Sequence, residues 1–199
     1  MFPPRDCGEH EPAATYEDRW FTLGDVTPDQ QELSVVATPR LRGHERVLHV
    51  GIGASDLARR WQDRVARIDG ITVVQAEINA APIFPTYRTA LRNKYAPGPW
   101  AGPYDLIVDN NPGSFACCQR HARAWLDTAA GLLAPGGAFV THARGCGYRK
   151  PTGVAMGWWS WWAYGRRRRL SVERWTTAVW AWRKSGAQPS HQSIYGRKS

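Results

Sequence analysis

The sequence predicts an α/β domain built on a mostly parallel sheet, and three observations carry that expectation. An apolar, β-prone run, Val47-Leu48-His49-Val50, feeds Gly51-Ile52-Gly53-Ala54-Ser55-Asp56-Leu57, where paired glycines and then a helix start follow at once. A second β-branched run begins at Ile71, so strand, helix and strand fit within about thirty residues, the span of a right-handed βαβ unit. A third strand, Tyr104-Asp105-Leu106-Ile107-Val108-Asp109, runs into the polar loop Asn110-Asn111-Pro112-Gly113-Ser114. Ligands of such sheets bind at the carboxyl ends of the strands.

Each element follows from local pattern. Gly51 and Gly53 allow a sharp turn and a close main-chain approach by a ligand, and Ser55 or Asp56 can cap the helix that follows. The pattern departs from the dinucleotide fingerprint, because Asp56 stands where its third glycine would be. A helix is expected over residues 56–68, with Leu57, Trp61, Val65 and Ile68 on one face and Asp69-Gly70 ending it. Residues 71–77 then read as the second strand. Glu77 closes it, 24 residues beyond Gly53, where an acid accepts hydrogen bonds from ribose hydroxyls. Residues 80–103 hold five prolines and suggest one helix, residues 86–95, with no clear third strand. A helix over residues 115–133 steps through Phe115, Cys118, Ala122, Trp125, Ala129 and Leu132. Pro135-Gly136-Gly137 turns the chain into a strand at residues 138–142.

The 199 residues suit a single domain, with residues 45–142 as its core and 43% apolar content to fill it. Residues 1–15 are rich in Pro and Glu and read as poorly ordered. Residues 16–21 suggest a short helix, and Pro28 with Asp29 opens another running to about Thr38. This N-terminal part, residues 1–40, reads as a packing extension ahead of a lid. No apolar run is long enough to span a membrane, and the first residues lack the apolar core of a signal peptide. The cysteines, Cys7, Cys117, Cys118 and Cys146, have no paired C-x-x-C spacing. That argues against a metal site or a disulfide framework and for a reducing cytoplasm.

Charge is unevenly placed. Residues 1–142 carry 14 Lys+Arg against 16 Asp+Glu, whereas residues 143–199 carry 12 against Glu173 alone, so the formal +9 comes from the tail. The tail also holds seven of the eleven tryptophans, including Trp158-Trp159-Ser160-Trp161-Trp162 shortly before Arg166-Arg167-Arg168-Arg169. Such a stretch could stack on bases and neutralise phosphates, lie at a membrane surface, or pack its rings on the sheet with the arginines solvated. Packing is the reading favoured. Strands are expected at residues 175–184 and 193–195.

In their order, residues 47–55, residues 104–112 and the run Leu132-Leu133-Ala134-Pro135-Gly136-Gly137-Ala138-Phe139-Val140 resemble class I S-adenosylmethionine-dependent methyltransferases over roughly residues 45–142. The resemblance implies a Rossmann-like sheet flanked by helices, with the last two strands forming an antiparallel edge hairpin. It implies S-adenosylmethionine as cofactor, held by His49, Gly51, Gly53, Ser55, Glu77, Ile78, Asp109 and Asn110. Glu77 would take the ribose, Ile78 or Asn79 would reach the adenine, and Asp109 and Asn110 would line the meeting point of methyl group and acceptor. His49 departs from the family, which usually has an acid there. Asp109, His142 and Tyr148 are the candidate general bases for a protonated acceptor. The expected function is methyl transfer to an unidentified, anionic small molecule. The alternative is a basic nucleic-acid-binding or nucleic-acid-modifying protein on the same scaffold. An aminopropyl transferase fits less well, because Asn110 and Asn111 do not complete a carboxylate pair with Asp109.

Overall fold

The computed structural model describes residues 7, 26–96, 100–147 and 154–186. Its core is a seven-stranded sheet in the order β3-β2-β1-β4-β5-β7-β6. The strands are β1 (Arg46–Val50), β2 (Arg67–Thr72), β3 (Tyr87–Leu91), β4 (Tyr104–Asp109), β5 (Leu133–His142), β6 (Ser171–Arg174) and β7 (Val179–Arg183). The first five pair in parallel; β7 runs antiparallel to β5, and β6 antiparallel to β7. The edge hairpin is therefore β6–β7. The strand expected at residues 193–195 and the helix expected at residues 16–21 lie outside the described residues.

Side chains alternate between two cores, as the strand period requires. On one face Val47, Leu106, Val108, Val140 and Ala181 meet α1 (Pro28–Ala37) and α2 (Asp56–Trp61) through Leu33, Ala37, Leu57 and Trp61. On the other, Leu48, Ile107, Phe139 and Trp182 meet α4 (Gln119–Leu132) and α6 (Trp158–Arg167) through Trp125, Leu126 and Trp161. Short helices α3 (Gln75–Ala80) and α5 (Ala143–Cys146) follow β2 and β5.

Four expectations about elements need correction. The helix expected to Ile68 ends at Trp61, and β2 begins at Arg67, earlier than residue 71. Asp69-Gly70, read as a helix stop, is mid-strand: the Tyr87 ring and Ile52 lie where a Cβ on Gly70 would sit, at 2.8 Å, and Asp69 accepts from Arg67 and Tyr104. Residues 87–91 form β3 rather than a helix, pairing with β2 along its length. The helix expected from Phe115 starts at Gln119. Phe115 itself is left-handed at φ 61°, and Cys118 caps the helix by accepting from the His121 N–H.

The tail's rings divide. Trp161 and Trp182 stack at 4.0 Å between centroids, Phe139 meets both edge-on, and Trp161, Trp180 and Trp182 are buried. Trp159 and Trp162 are exposed, at 75% and 42%. Arg168 stacks on Tyr164 and bonds Asp127, whereas Arg166, Arg167 and Arg169 are exposed. Among the described residues no helix is long and apolar enough to cross a membrane.

Candidate functional site

A cleft of about 400 Å³ opens at the carboxyl ends of the parallel strands. Its floor is the turn after β1. Gly51 and Gly53 hold φ of 73° and 50°, left-handed values that L side chains rarely adopt, and a Cβ on Gly53 would meet Gln30 Nε2 at 3.4 Å. These glycines keep the backbone open to a ligand. Around them stand Asp29 and Gln30 from α1, Val73, Val74 and Glu77 beyond β2, Asn93 and Lys94 beyond β3, and Asp109, Asn110, Ser114 and Phe115 beyond β4.

Glu77 lies in the first turn of α3, not at the end of β2, because β2 closes five residues earlier, at Thr72. Its carboxylate nevertheless turns back to the glycine loop. Oε2 accepts from the Gly53 N–H at 3.0 Å and the Thr72 hydroxyl at 2.6 Å. Burial pushes this carboxyl above its ordinary pKa, against the pull of those two hydrogen bonds.

The opposite wall is Asp29 and Asn110. Asn110 Nδ2 donates to Asp29 Oδ2 at 2.6 Å. Since a carboxylate only accepts, that bond fixes the amide's orientation. Asn110 Oδ1 is then a buried acceptor with no hydrogen-bond partner among the described residues. Burial works against the charge on Asp29, but hydrogen bonds from Asn110 and Thr27 and the nearby His142 hold its pKa below the ordinary value. The Asp29 carboxylate lines the cleft and suits a cationic hydrogen-bond donor. Neither Asp29 nor Gln30 was expected at the site. The available signal was the cap Thr27, whose N–H donates to Gln30 Oε1 and so sets the first turn of α1 over the glycine loop.

Asp109 is held from all sides. Lys94 Nζ donates to both its oxygens at 3.2 and 2.9 Å, Trp125 Nε1 donates at 2.7 Å, and the Asn111 N–H at 3.1 Å. Burial depresses the Lys94 pKa, and the Asp109 carboxylate opposes that shift. Lys94 also donates to the Asn111 carbonyl, and the Tyr95 hydroxyl reaches the carbonyls of Pro112 and Ser114 at 2.9 and 2.7 Å. The segment after β3 thus buttresses the loop after β4.

The other expected site residues lie apart from the cleft lining. His49 is buried on a neighbouring small cavity with Leu33 and Asp56; its Nδ1 has no hydrogen-bond partner among the described residues, and burial holds its pKa down to about 4, with Asp56 opposing. The Ser55 side chain faces Tyr87, hydroxyl to hydroxyl at 3.1 Å. Ile78 and Asn79 sit on α3 away from the lining, and Asn79 Oδ1 accepts from Gln75. His142 is buried, with Nδ1 accepting from the Arg144 N–H and Nε2 against Glu32 at 3.1 Å, so it ties α1 to the end of β5. Tyr148 lies outside the described residues.

Elsewhere, Cys7, Cys117, Cys118 and His121 come together, their ligand atoms all within 4.8 Å of one another. Spacing along the sequence concealed this group, because Cys7 comes from the far N-terminus.

No family model matches the chain, and no curated protein matches it. Solved structures do. The N-methyltransferase NodS of Bradyrhizobium japonicum WM9 superposes with a TM-score of 0.63 at 17% identity, over 78% of this chain and 93% of NodS. The aminopentose methyltransferase CalS10 of Micromonospora echinaspora, solved with S-adenosylmethionine bound, gives 0.59 at 12%, over 78% and 89%. The [4+2]-cyclase SpnF gives 0.60 at 16%, over 82% and 86%. At these identities the likeness shows the fold, and the same fold serves methyl transfer and a cyclisation.

Proposed function

We propose that this chain, which has the Rossmann-like fold of class I methyltransferases, binds S-adenosylmethionine in the cleft and transfers its methyl group to a small-molecule acceptor. One observation carries the reading. The glycine loop lies between a carboxylate tied to its own N–H, Glu77, and the Asp29 carboxylate, which suits a cation. The cofactor has ribose hydroxyls for the first and an ammonium for the second. When bound, it supplies a sulfonium-activated methyl group.

The residues of this chain bind and align. Glu77 Oε2 is taken by Gly53 and Thr72, which leaves Oε1 for a ribose hydroxyl. Asp29 takes the place of the acid that His49 replaces, reaching the ammonium site from α1 instead of β1. Val73, Val74 and Asn93 form the adenine side in place of Ile78 and Asn79. Asp109 is a positioning residue: its three donors fix the turn that presents Asn110, Asn111 and Ser114. In-line alignment of acceptor and methyl group is an orientation effect worth several kcal/mol, roughly the lower end of what proximity can supply. The acceptor is anionic, drawn by the basic tail, and the protein works in a reducing cytoplasm.

Incubation with methyl-labelled S-adenosylmethionine and a fractionated metabolite extract tests the reading. Label should pass to a small acidic metabolite with one S-adenosylhomocysteine formed per methyl moved, and Glu77→Ala should slow it at subsaturating cofactor. Tight cofactor binding with no demethylated product from any fraction would contradict methyl transfer and favour a use of the fold like that of the cyclase.

A further inference from the structure

We propose that Cys7, Cys117, Cys118 and His121 form a structural zinc site that ties Cys7 to the loop between β4 and α4. The four ligand atoms make a compact group: His121 Nδ1 lies 3.3 Å from Cys7 Sγ, 3.0 Å from Cys117 Sγ and 3.3 Å from Cys118 Sγ, and Cys117 Sγ lies 3.4 Å from Cys7 Sγ. Three sulfurs and one imidazole nitrogen at about this spacing are the donor set and shape of a tetrahedral Cys₃His zinc centre, with Zn–S near 2.3 Å and Zn–N near 2.0 Å. Four protein ligands fill the coordination sphere, so the site is structural and offers no open position for chemistry.

The surroundings suit a thiolate-rich centre. Cys118 caps α4, accepting from the His121 N–H, and Cys117 and Cys118 sit at the N-terminal end of a 14-residue helix, whose dipole favours negative charge. Loading zinc displaces the thiol protons to solvent and leaves three thiolates, a neutral imidazole and Zn²⁺, a net charge of −1. Cys118 and His121 are held by the helix register, and Cys117 directly precedes its cap. Cys7 comes from 110 residues away and is the ligand that closes the sphere. A metal there fixes the residues just after Ser114 and Phe115, which line the cleft. Cys146 is buried against Thr141, outside the group, and serves as the internal control.

The full chain, purified without chelators, should carry about one zinc per molecule by elemental analysis. Its cobalt-substituted form should show tetrahedral d–d bands with thiolate-to-cobalt charge transfer. Cys7→Ser, which alters a ligand outside the folded core, should weaken zinc at least about 100-fold in competition with a chromophoric chelator. Cys146→Ser should not weaken it. Folded wild-type protein that takes up neither zinc nor cobalt with a thiolate signature would overturn the site. So would equal loss of metal in Cys146→Ser and Cys7→Ser, or a Cys7–Cys117 disulfide in the non-reduced mass of the freshly isolated chain.

Discussion

His49 shows how one side chain can set acid sensitivity. It lies mid-sheet with no hydrogen-bond partner for Nδ1 among the described residues, and burial holds its pKa near 4, below the ordinary 6.5. As pH falls, the unfolded chain takes up this proton before the folded one does. Stability is therefore full above about 6.5 and declines toward 4, by up to about 3 kcal/mol from this group. His49→Leu should flatten that part of the stability–pH curve, measured by urea unfolding between pH 7 and 4; an unchanged slope would place the acid sensitivity elsewhere. At this scale the sequence revealed Gly51, Gly53 and Asn110 as cleft residues, because turn chemistry and strand ends are local. Glu77 lines the cleft for a different reason from the one expected: it reaches the glycine loop from α3 and not from the end of β2. Asp29 was hidden, since nothing local to α1 says which sheet edge it covers.

The segment after β3 is an element whose role the sequence concealed. The prolines around it mask a short strand with a half-exposed burial pattern, so neither period stands out. Yet it delivers Lys94 to Asp109 and Tyr95 to the loop after β4. Lys94→Met leaves a buried carboxylate without its cation and should cost about 3–5 kcal/mol of stability. A loss under about 1 kcal/mol by chemical denaturation would show that Trp125 and Asn111 alone suffice. β7 was legible as a strand because it alternates strictly, Trp180 and Trp182 on one face and Val179 and Ala181 on the other, but its hairpin partner was expected at residues 193–195, whereas it pairs with β6. What α6 adds was not legible, since four tryptophans in five residues fit several partners. Trp161 is fully buried and stacked on Trp182, and Trp161→Ala should cost about 3–5 kcal/mol. Trp159→Ala, at 75% exposure, should change stability by no more than about 0.5 kcal/mol.

By sequence, residues 1–142 are slightly acidic and residues 143–199 strongly basic, so an anion would be drawn to the basic part. Arg168 belongs to the fold through Asp127 and Tyr164, and the exposed members of the four-arginine run are Arg166, Arg167 and Arg169. Exchanging those three, with Arg169→Asn to suit its φ of 58°, should raise the acceptor KM without altering cofactor affinity. The difference from wild type should shrink as salt rises, because screening acts over about 8 Å at physiological ionic strength. A shallower salt slope of RNA or DNA binding in the same variant would instead favour the nucleic-acid reading. The central claim concerns the cleft, and calorimetric titration of the purified chain with S-adenosylhomocysteine tests it most directly. We expect one site per chain, weakened by roughly 1–3 kcal/mol in Glu77→Ala and by a similar amount in Asp29→Ala. A folded wild-type chain that binds neither S-adenosylhomocysteine nor S-adenosylmethionine would contradict the account.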